Sequence, residues 1–174
     1  MIIGFCGPAG AGKSTAAKHL GAAGFTRHPF AAPLKEMLLT FILGRGADAK
    51  EAFDLVDGPG KGQPTPWLNA ATPRRAMQLL GTEWGRELSP TLWIDAWRDA
   101  LPRGSVVCDD VRFPNEAAAI RELGGRVYRI RRPDLKLSAA VAKHASETQV
   151  FEVDGEIVNR DLTAFLDQIE ALVA

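Results

Sequence analysis

Short, almost wholly apolar runs alternate along this chain with longer stretches in which apolar positions recur every third or fourth residue. The first pattern predicts buried strands and the second amphipathic helices. Strand candidates are Ile2–Cys6, a short segment near Phe25–Arg27, Ser105–Asp109, Arg126–Ile130 and a last short one at Glu156–Val158. Helical periodicity covers Lys13–Ala22, Pro33–Leu43, Pro73–Trp84, Pro90–Leu101, Asn115–Leu123 and Leu162–Val173. Several of these open on a capping residue and a proline, as at Thr72-Pro73 and Ser89-Pro90. Proline suits a first helical turn because its φ is already helical and its missing N–H has no partner to lose. Strands alternating with helices predict an α/β fold, with a mainly parallel sheet of roughly five strands covered on both faces.

One stretch breaks this rhythm. Between residues 44 and 66 lie Gly44, Gly46, Gly58, Pro59, Gly60, Gly62, Pro64 and Pro66. A long loop of this composition inside a compact domain is functional or a plain variable insertion. It is read here as a mobile surface segment beside the site, within a single domain spanning 1–174.

Composition narrows the partners. The chain has 174 residues, 46% hydrophobic and 24% charged, with a formal net charge of zero. No overall basic field exists for nucleic acid or for a membrane surface. The longest apolar stretch, Met37–Leu43, is too short to span a bilayer. The N-terminus lacks the basic n-region of a secretory signal. Cys6 and Cys108 both sit in apolar runs and form no C-x-x-C pair. Buried, reduced thiols in a cytoplasmic protein are the expectation.

Candidate chemistry begins where the first strand ends. Gly7-Pro8-Ala9-Gly10-Ala11-Gly12-Lys13-Ser14 fits G-x-x-x-x-G-K-[ST], followed by Thr15 and a helical segment. Small residues let consecutive backbone N–H groups turn inward around phosphate oxygens, and the helix N-terminus adds partial positive charge. Lys13 can reach the β/γ-phosphates and the Ser14 hydroxyl can ligate Mg²⁺.

Three further segments carry polar chemistry. Within Pro73–Arg86, helical spacing places Arg75, Gln78 and Thr82 on one face, with Ala76, Leu79, Leu80 and Glu83 on other sides and the leucines as core stripe. A guanidinium suits a phosphate and an amide suits a base edge, although a solvated polar face has the same composition. Val106-Val107-Cys108-Asp109-Asp110-Val111-Arg112 ends an apolar strand in carboxylates, and either Asp109 or Asp110 could serve a metal. Asn115 and Glu116 read as caps of the next helix. Arg129-Ile130-Arg131-Arg132-Pro133 is a basic cluster leaving a strand, either near transferring phosphate or solvated. His144 is read as structural. No Ser/His/Asp constellation and no His/Cys metal spacing is visible.

Gly7–Ser14, Gln78-Leu79-Leu80-Gly81-Thr82-Glu83, Asp110-Val111-Arg112-Phe113-Pro114-Asn115-Glu116 and His144-Ala145-Ser146-Glu147, in this order, resemble the bacteriophage-type deoxynucleoside monophosphate kinases. The resemblance runs from Met1 to about Asn159. It implies the three-layer P-loop nucleoside monophosphate kinase fold and transfer of the γ-phosphate of ATP to a deoxynucleoside monophosphate. It implies that Gly7, Ala9, Gly10, Ala11, Gly12, Lys13, Ser14, Thr15 and Arg132 bind ATP, with Mg²⁺ on Ser14 and on Asp109 or Asp110. Arg74, Arg75, Gln78, Thr82 and Glu83 would bind the acceptor. Lys13, Asp110, Arg112 and Arg131 would act at the transfer edge, under a lid over about 131–145. Expected partners are ATP and the monophosphate, with a homodimer allowed. A host-cytoplasmic setting follows if the chain is phage-encoded. A kinase for dephospho-coenzyme A or a sugar acid, and a non-catalytic nucleotide-binding regulator, remain as alternatives.

Overall fold

The structure is a computed structural model that describes residues 1–135 and 151–173. The predicted His144 motif and most of the predicted lid lie outside the described residues. Five described strands form one sheet: β1 (Ile2–Cys6), β2 (Thr26–Arg27), β3 (Val106–Cys108), β4 (Arg126–Arg131) and β5 (Gly155–Val158). Their order is β2-β3-β1-β4-β5 and every pairing is parallel. Each strand lies within a residue or two of its predicted position. No described helix is long and apolar enough to cross a membrane.

The described residues divide into two compact units, Met1–Phe30 with Arg98–Ala174, and Ala31–Trp97. The first unit holds the sheet. On one face, α1 (Lys13–Ala22) packs against α8 (Leu162–Glu170) and over the strands. Ile3, Phe5, Ala16, Ala17, Leu20, Ile130, Phe165 and Ile169 form the core there. On the other face lies α7 (Pro114–Glu122), packed on β1 and β4. Gly4 makes that approach close: a Cβ there would stand 2.7 Å from Ile120 Cδ1. The alternation of Ile3 and Phe5 with Gly4 is the two-residue period of a strand buried on both faces.

The second unit is helical: α2 (Ala32–Gly44), α3 (Ala49–Val56), α4 (Pro73–Gln78), α5 (Gly85–Leu88) and most of α6 (Leu92–Asp99). Here the structure departs from the sequence reading. The glycine- and proline-rich stretch contains the helix α3. Asp48 caps it by accepting from the Glu51 N–H at 2.9 Å, and Ala52, Leu55 and Val56 are buried. They join Leu38 and Ile42 in a second core cluster. The breakers flank the helix instead of occupying it, so overall loop-like composition hides a well-capped amphipathic segment.

The predicted helix 73–84 is also modified. Regular α geometry ends at Gln78, Leu79–Trp84 form a π-helical stretch, and α5 follows directly. Leu79 is exposed, contrary to its assignment to the core stripe, while Leu80 packs on the second cluster. Helix α6 starts later than predicted because Ser89 makes a turn, its hydroxyl accepting from the Thr91 N–H at 3.3 Å.

Candidate active site

In a parallel sheet the strand order reverses where connections leave in opposite directions, and the crevice at the carboxyl ends of those strands receives ligands. Here β1 lies between β3 and β4, and the glycine loop grows from its carboxyl end. Gly7 has φ +126°, and a Cβ would lie 2.3 Å from the Ile130 carbonyl oxygen. Gly12, at φ +114°, would collide with Asn159 Nδ2 at 2.5 Å. The residue before α1 is Gly12, which has no side chain with which to cap it, and its first turn holds no acid, so the helix N-terminus favours an anionic ligand.

Lys13 is buried, and its Nζ donates to the carbonyl oxygens of Gly7 at 2.6 Å and Pro8 at 2.7 Å. The ammonium is thereby folded along the loop. Ser14 and Thr15 are exposed beside it. An open cavity of about 420 Å³ adjoins this loop, lined by Gly10, Gly12, Lys13, Ser14, Thr15, Arg132, Asn159, Arg160 and Leu162. Arg132 Nη1 donates to Gly10 O at 3.4 Å. Arg131, by contrast, pairs with Glu156 at 3.1 Å and is absent from the cavity lining.

Asn159 and Arg160 escaped sequence reasoning. Asn159 Nδ2 donates to Ala11 O at 2.8 Å, and its N–H donates to Arg131 O at 2.8 Å. One residue thus ties the glycine loop to the end of β4. The only sequence signal was its place directly after the last strand candidate, at the same sheet edge.

The acidic pair directly after β3 splits into two environments. Asp109 is buried and accepts from Arg27 Nε at 2.9 Å across the neighbouring strand. Asp110 is half-buried and accepts from the Phe30 N–H at 2.9 Å and from Cys108 Sγ at 3.3 Å. Burial, then the Asp110 charge, pushes the Cys108 thiol well above its ordinary value. Burial likewise raises Cys6, against the opposing pull of Arg129. The Val111 N–H donates to Phe5 O at 3.2 Å, which sets Asp110–Arg112 beside the end of β1. Glu116 accepts from the N–H groups of Arg112 at 2.7 Å and Phe113 at 3.1 Å, so Glu116 supplies the cap expected there. Among the described residues no cluster of three or more His, Cys, Asp or Glu could hold a metal.

The predicted acceptor residues lie in the second unit. Thr72 caps α4, its hydroxyl accepting from the Arg75 N–H at 3.2 Å. Arg74, Gln78 and Thr82 are half-buried, whereas Arg75 and Glu83 are exposed. Arg75 and Glu83, assigned to different sides by α periodicity, stand 3.9 Å apart. The π-helical turns cause this, because they carry more residues per turn than the 3.6 assumed and shift every position after Gln78. For the same reason Thr82 no longer follows the simple Arg75/Gln78 spacing.

An all-parallel 2-3-1-4-5 sheet flanked by helices, with the glycine loop after its central strand, has the architecture of the P-loop kinase folds. No family model matches the chain. A protein of Acanthamoeba polyphaga mimivirus, named "Putative deoxynucleotide monophosphate kinase", is 32% identical over an alignment of 203 residues. That alignment covers 99% of this chain and 96% of the mimivirus protein. An "Uncharacterized protein ORF77" of Ictalurid herpesvirus 1 (strain Auburn) is 33% identical over an alignment of 112 residues that covers 58% of this chain and 47% of that protein. The chain belongs to the deoxynucleotide monophosphate kinase family.

Proposed function

We propose that this chain transfers the γ-phosphate of ATP to the 5′-phosphate of a deoxynucleoside monophosphate, giving the diphosphate and ADP. The observation that carries the reading is the glycine loop at the sheet's switch point, with buried Lys13 laid along it and Gly12 leading into the helix. Family membership supports the nucleotide acceptor.

In this reaction an acceptor phosphate oxygen attacks the γ-phosphorus while the bond to the β–γ bridging oxygen breaks, and ADP leaves with that electron pair. No nucleophile from the protein is needed, so its task is positioning and charge neutralisation. The loop amides and Lys13 hold the donor phosphates. Arg132, beside Gly10, adds positive charge at the cavity, and Asn159 and Arg160, which line the same cavity, would border the rest of the donor. Asp110 and Arg112 stand at the neighbouring strand end, where Asp110 would take a water of the cation and Arg112 would meet the transferring group. Mg²⁺, held by Ser14 and phosphate oxygens, would neutralise charge on the β- and γ-phosphates. Arg74, Arg75, Gln78, Thr82 and Glu83 carry the acceptor. Arg131, engaged with Glu156, would have to exchange that partner to reach phosphate.

ADP release measured with dAMP, dGMP, dCMP and dTMP, and with dephospho-coenzyme A and gluconate in parallel, tests the proposal. Turnover that depends on at least one deoxynucleotide is expected. Turnover only with the other acceptors, or ATP binding without any transfer, would overturn it.

A further inference from the structure

The π-helical stretch is not a neutral irregularity, because two residues outside it hold it open. The Gly85 N–H donates to Leu80 O, five residues back, in place of the α-helical partner Gly81. The Gly81 carbonyl instead accepts from the indole Nε1 of Trp93 at 2.9 Å. Trp93 is buried, and its ring lies so close to Gly85 that a Cβ there would be 2.4 Å from Nε1 and 2.5 Å from Cε2 and Cζ2. Trp84, at the end of the stretch, packs on the same ring with centroids 6.0 Å apart. Closing the turn to α geometry would bring the Gly85 N–H onto the Gly81 carbonyl that the indole N–H now occupies, in competition with it and against the ring packed on Gly85.

The open turn changes what the helix presents. In an uninterrupted α-helix, residues eight apart stand roughly 12 Å apart along the axis and on different faces. Here they share a side, and the tips of their long side chains, Arg75 Nη1 and Glu83 Oε1, come within 3.9 Å. Gln78 is the last residue before the change of phase and Thr82 lies inside it.

We infer that Trp93 is a positioning residue for acceptor recognition. Through the Gly81 carbonyl it holds the wide turn that brings Glu83 to Arg75 and sets Thr82 relative to Gln78. Acceptor selectivity is therefore written partly in a buried tryptophan that acts through a backbone carbonyl. This inference rests on the acceptor role proposed above for Arg75, Gln78, Thr82 and Glu83.

The test is steady-state kinetics of Trp93→Phe over the acceptor panel described above. A second variant carries, at position 93 only, a benzothiophene analogue of tryptophan that keeps the ring shape and replaces N–H by sulfur. The expected result in either folded variant is an acceptor KM raised about tenfold, the size of one lost hydrogen bond, with kcat and the KM for ATP within about twofold of wild type. Adding Glu83→Gln to the variant should cost much less than Glu83→Gln costs alone, because the two act through one turn. An unchanged acceptor KM, or equal losses in kcat and in both KM values, overturns the role of Trp93 while leaving the kinase reading intact. Wild-type turnover confined to acceptors other than deoxynucleotides overturns the proposed function, and the same ratio for that acceptor still decides Trp93. No turnover with any acceptor overturns both.

Discussion

At the residue scale, Lys13 and the two aspartates make separable predictions. Lys13→Ala removes a buried cation from the phosphate loop, and a loss of about 3 kcal/mol of transition-state stabilisation is expected, or roughly 10²-fold in kcat. Near-normal turnover in the folded variant would refute the role given to Lys13. Asp109 is committed to Arg27, so Asp109→Asn is expected to act on stability, by about 1–3 kcal/mol in urea unfolding. Asp110→Asn retains an oxygen for the Phe30 N–H, and is therefore expected to leave stability close to wild type while depressing turnover and its Mg²⁺ dependence. The opposite pattern would reassign the two carboxylates. The sequence showed a double acid without ranking its members. The difference in their surroundings comes from Arg27, which lies 82 residues away along the chain and pairs with Asp109 alone of the two in the bonds described.

At the element scale, the conformation of the glycine loop was legible, because a strand, a glycine-rich loop and a helix start follow one another within fourteen contiguous residues. The order of strands and helices was legible for a similar reason: buried strands and amphipathic helices leave different periods. Helix α3 was not, since breakers at its flanks dominated the composition around an eight-residue segment. The π-helical stretch was not either, because its cause is the packing of Trp93 on Gly85 and not a local propensity. Gly85→Ala forces a methyl against the indole, and a loss of about 1–3 kcal/mol is expected in chemical denaturation. An unchanged unfolding midpoint would mean that the ring can withdraw.

The edge strand β5 makes a pH prediction. Asp154 accepts from the Val127 N–H at 2.7 Å and from Arg121 Nη2 at 3.2 Å, fastening the lead into β5 onto β4. Partial burial alone would raise its pKa, but the Val127 hydrogen bond and the Arg121 charge outweigh it and hold the carboxyl below the ordinary value. A folded value below the unfolded one means that the stabilisation is complete above the ordinary carboxylate range and is lost as pH falls through the lowered value. Unfolding free energy measured against pH is expected to fall on this acid limb. In Asp154→Asn it is expected to fall less steeply, from a lower plateau near neutral pH.

At the scale of the whole molecule, ligand binding and thiol protection report on the intact fold. A nucleotide that binds only the native state raises stability by about 2.7 kcal/mol at one hundred times its Kd. Thermal unfolding with ATP and Mg²⁺ is therefore expected to shift upward in the wild type and much less in Lys13→Ala. Cys6 and Cys108 are buried free thiols with raised pKa, so both are expected to resist a thiol reagent at pH 8 until the chain is denatured. Rapid labelling of either in the native protein would contradict their placement.

The sequence by itself determined whatever depends on neighbours along the chain. That includes the periodicities that make an α/β fold, the Gly7–Ser14 loop with its lysine and hydroxyl, and the acidic end of β3. The tertiary structure alone decided which distant groups complete those pieces. Asn159 reaches back 148 residues to the Ala11 carbonyl, Arg27 pairs with Asp109, and Trp93 takes the Gly81 carbonyl in the helix that bears Arg75 and Glu83. The physical reason is one of range. Local backbone sterics and side-chain periodicity act over a few residues and leave their mark in the sequence. Hydrogen bonds between distant segments are selected only once strand order and side-chain packing have brought the partners together.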